Sequence, residues 1–151
     1  MTTENQTAEL LRVLKTRREY CRAMTQLAEQ QQTLVEQYRT SELIQLIAQK
    51  QRVIEGLSKL GASFGGLSEF WKQIRDTLPA DIRAECDAIL AESEVLLAQA
   101  LEQEAQSTQQ LTHHRDKTQQ QLRQVGQTIE TRNALGAGKS AAPASFLDVS
   151  R

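Results

Sequence analysis

The sequence predicts an all-α protein: an extended antiparallel hairpin or bundle of long helices, with a short connecting helix and a disordered C-terminal tail. Aromatic residues make up only 4% of the 151 residues, whereas glutamine is abundant. This composition favours long helices over a sheet protein or a compact enzyme core. Apolar residues recur at helical spacing along two long segments, and glycine and proline are concentrated between them and near the C-terminus. One helical domain over residues 1–135 and a flexible tail over 136–151 are therefore expected.

The first helical segment is expected to run from about Glu4 to Leu60. Its early part repeats an apolar residue every seven positions, which is typical of a coiled-coil seam. Arg17 and Gln31 occupy seam positions in between, so the seam is imperfect. The repeating residues are Val13, Tyr20, Leu27 and Leu34.

A change of phase interrupts this seam near residues 39–41. Thr40 or Ser41 could cap a new helix at this point. A kink or short break and a continuous helix therefore both remain open. The apolar residues that follow form a second stripe: Leu43, Ile44, Ile47, Ile54, Leu57 and Leu60.

A glycine-rich connector at residues 61–66 should end this segment and reverse the chain. A short helix is expected from Ser68, its candidate cap, to about Thr77, and Pro79 suits the first turn of the next helix. The connector also holds a cluster of large apolar side chains, which we interpret as a structural plug that closes the tip of a hairpin. An exposed aromatic contact patch is the alternative. The cluster comprises Phe64, Phe70, Trp71 and Ile74.

The last helix is expected from Pro79 to about Asn133, and its apolar stripe weakens midway. Its first half is rich in apolar residues at helical spacing, whereas its second half keeps only a few among many glutamines. A helix that packs along its whole length would keep its stripe, so the second half is predicted to be a surface that a partner covers. The candidate partner-binding residues are Leu111, Leu122, Val125 and Ile129.

The two long segments have nearly equal lengths, each on the order of 80 Å if straight. Equal lengths and a short connector favour antiparallel packing of one against the other. The small, polar tail that follows should be disordered. Within it, Phe146 and Leu147 form a candidate docking motif, with an uninvolved terminus as the alternative.

Charge and hydropathy exclude several classes of protein. The formal net charge of −1 gives no attraction to nucleic acid or to an anionic membrane. No apolar run approaches the roughly 20 residues that span a bilayer, and the polar N-terminus has no signal-peptide core. A cytoplasmic protein without membrane insertion is therefore expected. Cys21 and Cys86 lie on apolar stripes and are interpreted as buried thiols.

The motifs that would indicate catalysis or a cofactor are incomplete. Residues 136–140 resemble the end of a phosphate-binding loop, but the required first glycine is replaced by Asn133. His113 and His114 are adjacent, which does not suit a helical metal site. The basic residues near Arg17 are interleaved with glutamates and are interpreted as a solvated helix face. We expect no enzyme, no cofactor and no metal.

The stretch from Tyr38 to Leu60, YRTSELIQLIAQKQRVIEGLSKL, resembles the FlgN-type flagellar export chaperones. The polar break Thr40-Ser41 and the following Lys50 match the pattern of that family, as do the spaced apolar residues. The spaced apolar residues of this stretch are Leu43, Leu46, Ile54, Leu57 and Leu60. The earlier step from Tyr20 to Leu27 and Ala28 is also similar to the family.

This resemblance implies a non-enzymatic cytoplasmic chaperone that binds the helical C-terminal ends of hook–filament junction subunits and delivers them to the export gate. It places the client surface on the stripe from Leu111 to Ile129. Family members use a C-terminal tyrosine at the gate, and Phe146 is the nearest aromatic residue here. The alternative function is a structural coiled-coil adaptor of an export ATPase or another helical assembly. Self-association could also cover the stripe.

Overall fold

The computed structural model describes residues 2–137 of the chain, and it is helical with no strand in that range. The all-α prediction is confirmed. The phosphate-loop-like residues beyond Ala137 and the candidate docking motif Phe146-Leu147 lie outside the described residues. The helices are α1 at Thr2–Glu36, α2 at Thr40–Gly61, α3 at Leu67–Ile74 and α4 at Ala80–Ala137, with 3₁₀ turns at Ser63–Gly65 and Arg75–Thr77.

The helix is interrupted at residues 37–39, between α1 and α2. The sequence pattern allowed either a break or a continuous helix at this point. Tyr38 adopts the left-handed conformation, with φ of 57°. The amide of Arg39 donates to the carbonyl of Leu34 at 3.0 Å, and the amide of Tyr38 donates to that of Val35 at 3.2 Å. These two bonds form a Schellman motif, which satisfies the last carbonyls of α1. The residue that fills the left-handed position is a tyrosine instead of the usual glycine.

The predicted cap at this break is wrong. Helix α2 begins at Thr40, so its cap position is Arg39, which makes no side-chain capping bond. The amide of Leu43 instead bonds to the backbone carbonyl of Arg39 at 3.0 Å. The Arg39 guanidinium pairs with Glu42 in the first turn, where an acidic side chain is favourable near the helix N-terminus.

We expect that Tyr38→Gly raises the free energy of unfolding by roughly 0.5–1 kcal/mol. The left-handed conformation costs a non-glycine residue about 1–2 kcal/mol, and the greater unfolded-state freedom of glycine removes part of this gain. Urea denaturation of the two proteins measures the difference. As a matched control, Gln106→Gly at an exposed position within α4 should lower stability by about 1 kcal/mol. Equal losses in the two variants would contradict the strain argument.

Helices α1 and α2 run antiparallel after this reversal. Gln31 contacts Lys50, whereas Tyr20, earlier in α1, lies against Gly56, later in α2. A Cβ atom at Gly56 would lie 2.7 Å from the Tyr20 ring, so this glycine lets the ring pack close to the α2 backbone. The predicted first segment is therefore two helices folded on each other.

Helix α4 runs parallel to α1 over the part of α4 that ends at Gln110. Lys15 pairs with Glu85 at 3.5 Å, and the hydroxyl of Thr25 donates to the carbonyl of Leu96 at 3.0 Å. Later residues of α1 thus meet later residues of α4, as in a parallel pair. The fold is a three-helix bundle, α1 and α4 parallel with α2 antiparallel to both. Antiparallel packing of the whole first segment against the last helix was predicted. Because the chain already reverses at Tyr38, only α2 is antiparallel to α4, whereas α1 is parallel to it.

The main cluster of buried apolar residues lies at the end of the bundle that the connector covers, and single buried residues such as Ala28, Leu46 and Ala100 continue along the helices. Helix α3 begins at Leu67 after the cap position Gly66, so the predicted cap Ser68 is wrong by two residues. The rings of Phe64 and Phe70 stack with centroids 4.2 Å apart, and Phe64, Phe70, Trp71 and Ile74 all pack against the core. The core residues are Leu10, Val13, Leu14, Leu67, Leu78, Cys86 and Ile89.

Contacts divide the chain into two compact units, Met1–Gln110 and Leu111–Arg151. This boundary lies inside the range 1–135 that was expected to be one domain. The bundle described above belongs to the first unit. In the second unit, the described residues continue helix α4 from Leu111 to Ala137.

Candidate functional site

A polar layer crosses the bundle at the level of Lys50. The ammonium group of Lys50 donates to the side-chain oxygen of Gln31 at 3.1 Å and to the carboxylate of Glu104. Gln31 is only 4% exposed, and the Lys50 side chain is 15% exposed. One lysine from α2 therefore holds residues of both other helices. Such a layer penalises shifted packing, because a shift would leave buried polar groups without partners.

Residues of α1, α2 and α4 line two cavities of about 340 Å³ and 300 Å³. We call the surface around these two cavities the cleft between α2 and α4. Ile54 of α2 and Leu101 of α4 both line the second cavity, and Leu101 is 70% exposed. The first cavity is lined by Leu14, Arg17, Gly61, Leu67, Ser68, Trp71, Leu90 and Glu94. The second is lined by Met24, Ala28, Lys50, Ile54, Leu97, Ala100, Leu101 and Glu104.

The predicted partner-binding residues all lie on the part of α4 that belongs to the second unit. We call Leu111, Leu122, Val125 and Ile129 the distal stripe. Their exposed fractions are 42%, 66%, 55% and 50%, respectively. Leu122, Val125 and Ile129 follow one another at steps of three and four residues, which places them on one helix face. The structure thus brings these three together in an exposed row, with Leu111 on nearly the same line.

Leu135 is a further exposed apolar residue of this segment, at 67%, which the sequence reasoning missed. It lies six residues after Ile129, about 120° away around the helix. It therefore belongs to a different face from the distal stripe. Its position next to the glycine-containing terminus gave no periodic signal.

Two arginines lie along the line of the distal stripe, Arg115 between Leu111 and Leu122 and Arg132 after Ile129. Arg115 precedes Leu122 by seven residues and Arg132 follows Ile129 by three, so both arginines lie along the line of the stripe. Asp116 and Glu130 are the acidic residues between 111 and 137, and both lie toward the side of the helix. The distal stripe is consequently an apolar row with Arg132 at its end and Arg115, which pairs with Asp116 at 3.4 Å, within it.

The two parts of α4 differ in charge. Residues 80–110 contain seven acidic residues and one basic residue, whereas residues 111–137 contain four basic and two acidic residues. In the first part, Arg22 of α1 donates to Glu92 at 2.7 Å, and this hydrogen bond lowers the pKa of Glu92. The pair therefore stabilises the fold above the ordinary carboxyl pKa and loses that contribution as the pH falls through the lowered value.

Among residues 2–137 there is no group of three His, Cys, Asp or Glu side chains placed to hold a metal ion. The rings of His113 and His114 are tilted with centroids 6.3 Å apart. Cys21 and Cys86 are free and buried, and burial raises the pKa of both thiols. Of the helices described here, none has the length and hydropathy to cross a membrane.

No protein family, curated protein or solved structure matches this chain. Function is therefore inferred from the exposed surfaces of the molecule. Two such surfaces combine apolar area with defined charge: the cleft between α2 and α4, and the distal stripe.

Proposed function

We propose that the protein is a non-enzymatic, cytoplasmic flagellar export chaperone. Its clients are the helical C-terminal ends of hook–filament junction subunits, which it delivers to the export apparatus. The observation that supports this proposal is the distal stripe, a row of apolar side chains that the described residues leave about half exposed. A row with this spacing suits helix-in-groove recognition, in which an amphipathic helix covers apolar residues three and four positions apart.

The energy available from the distal stripe is sufficient for specific but reversible binding. Complete burial of one such side chain contributes about 1.5–3 kcal/mol, and these side chains are already half covered, so about 0.8–1.5 kcal/mol each remains. Part of the sum is lost to the ordering of the client. A chaperone must release its client at the gate, and a site of this size is compatible with release.

The test uses peptides with the sequences of the C-terminal helices of hook–filament junction subunits, titrated against the whole protein by calorimetry. We expect binding by the natural chain and at least about tenfold weaker binding by the double variant Leu122→Gln/Ile129→Gln, since two apolar contacts are lost. The melting temperature should hardly change, because the exposed residues of this segment contribute nothing to the core.

Leu135→Gln provides the matched control. Leu135 is as exposed as Leu122 and lies on the same segment, but on a different face, so its substitution should leave client binding unchanged. Equal losses of client affinity in the control and the double variant would show nonspecific apolar binding instead of binding by one helix face. If no subunit end binds and an export ATPase binds instead, the protein is a structural adaptor, and the chaperone proposal is wrong.

A further inference from the structure

The α4 wall of the cleft carries its own helical seam. Leu90, Glu94, Leu97, Leu101 and Glu104 line the two cavities from this helix. They follow one another at steps of four, three, four and three residues, which is the spacing of a coiled-coil seam. Leu101, the fourth of these five residues, is 70% exposed. Residues 80–110 thus present a second row that is apolar in the middle, in a segment rich in acidic residues.

This proximal seam and the distal stripe match each other when two α4 helices are set antiparallel. The distal seam positions 115, 118, 122, 125, 129 and 132 follow the same three–four spacing in the opposite order. Asp87, three residues before Leu90, extends the proximal seam to six positions, and one register then aligns every position of both rows. It sets Arg115 opposite Glu104, Thr118 opposite Leu101, Leu122 opposite Leu97, Val125 opposite Glu94, Ile129 opposite Leu90 and Arg132 opposite Asp87.

The register pairs opposite charges at both ends of the apolar row. Arg115 meets Glu104 and Arg132 meets Asp87. Of the four pairs in between, Leu122 with Leu97 and Ile129 with Leu90 are wholly apolar. The lengths also agree, since 17 residues from position 87 to 104 and 17 from 115 to 132 each span about 25 Å. The net charges of residues 80–110 and 111–137 have opposite signs, so the segments attract each other before contact.

We propose that two copies of this chain associate through antiparallel α4 helices, so that residues 111–137 of each copy lie along the cleft of the other. The arrangement has twofold symmetry, which is the commonest form of self-association, and it buries the same two surfaces in both copies. It covers the distal stripe and the cleft at once. The inference is independent of the client's identity, because it concerns the protein alone.

Self-association and client binding would use the same stripe and would therefore exclude each other. Glu94 opposite Val125 places a charge in the apolar row, which weakens the dimer and keeps it reversible. The self-associated form would then be the unloaded protein, with its apolar surfaces covered. Client binding would separate the copies, and the apparent client affinity would fall as the protein concentration rises.

The test is sedimentation velocity of the full chain without any client, over concentrations from about 1 μM to 1 mM. We expect a monomer–dimer equilibrium that weakens with added salt, since the end pairs are exposed and screened. Asp87→Arg and Arg132→Glu should each raise the dissociation constant about tenfold, because each replaces two attractive pairs per dimer by repulsive ones. The double variant Asp87→Arg/Arg132→Glu should restore the dissociation constant of the natural chain.

Substitutions at Asp87 and Arg132 should leave the fold of the monomer intact. Asp87 makes only a half-exposed ion pair with Arg75, at 3.5 Å, whereas Glu104 belongs to the polar layer around Lys50. Circular dichroism of each variant verifies that the helices remain. A chain that stays monomeric up to about 1 mM, or a dimer whose affinity the double variant does not restore, would overturn the antiparallel register. A monomer that still binds the subunit peptides would leave the chaperone proposal standing.

Discussion

Trp71→Ala is expected to lower the free energy of unfolding by about 2–3 kcal/mol. Loss of a fully buried tryptophan costs about 3–5 kcal/mol, and Trp71 is partly exposed where it packs against the core. The substitution also removes a wall of the cavity that Leu14, Leu67 and Leu90 share with it, so the surrounding side chains lose contacts that cannot be replaced without movement.

Urea denaturation and client titration together test this prediction. Trp71→Phe is the matched control, because it keeps an aromatic ring and should cost only about 1 kcal/mol. Client binding should be unchanged in both variants under conditions where they are folded, since Trp71 belongs to the first unit and the distal stripe to the second. An alanine variant of full stability that no longer binds the client would show that the connector is a contact patch and not a plug.

Lys50→Met is expected to lower the free energy of unfolding by about 2 kcal/mol. Removal of one partner of a fully buried ion pair costs about 3–5 kcal/mol, and the partial exposure of Glu104 reduces this penalty. The new methionine fits the apolar cavity, but Gln31 and Glu104 both lose the donor that holds them. Their unsatisfied oxygens, and not the lost volume, are the source of the cost.

Arg12→Met is the control for this experiment. Arg12 forms an ion pair with Glu9 one turn away on the surface of α1, so its loss should change stability by less than about 0.5 kcal/mol. Thermal unfolding of both variants gives the comparison. If the two substitutions cost the same, the polar layer contributes no more than a surface pair. A triple substitution of Gln31, Lys50 and Glu104 to leucine should recover stability, since apolar side chains can fill such a layer.

The helical class and the position of the distal stripe could be predicted from sequence because both depend on local spacing. Apolar residues at steps of three and four mark a helix face regardless of what packs against it, and the row thins after Leu101, shortly before the first unit ends at Gln110. The glycine-rich connector was equally clear, since Gly65 and Gly66 adopt positive φ values of 76° and 133° that other residues avoid.

The topology was decided by tertiary structure. No glycine or asparagine marks the reversal at Tyr38, so local propensity gave no signal, and the packing of α2 on α1 must stabilise the left-handed tyrosine. Gln31 looked like an isolated defect in the first seam, and nothing in the sequence linked it to Lys50, because a sequence pattern does not show which residues meet across helices. Only the parallel placement of α4 beside α1 brings Glu104 to both and joins the three residues in one polar layer. The sequence by itself therefore determined which segments are helical and which row stays uncovered, whereas long-range packing determined which helices are neighbours, because side-chain periodicity is local and helix pairing is not.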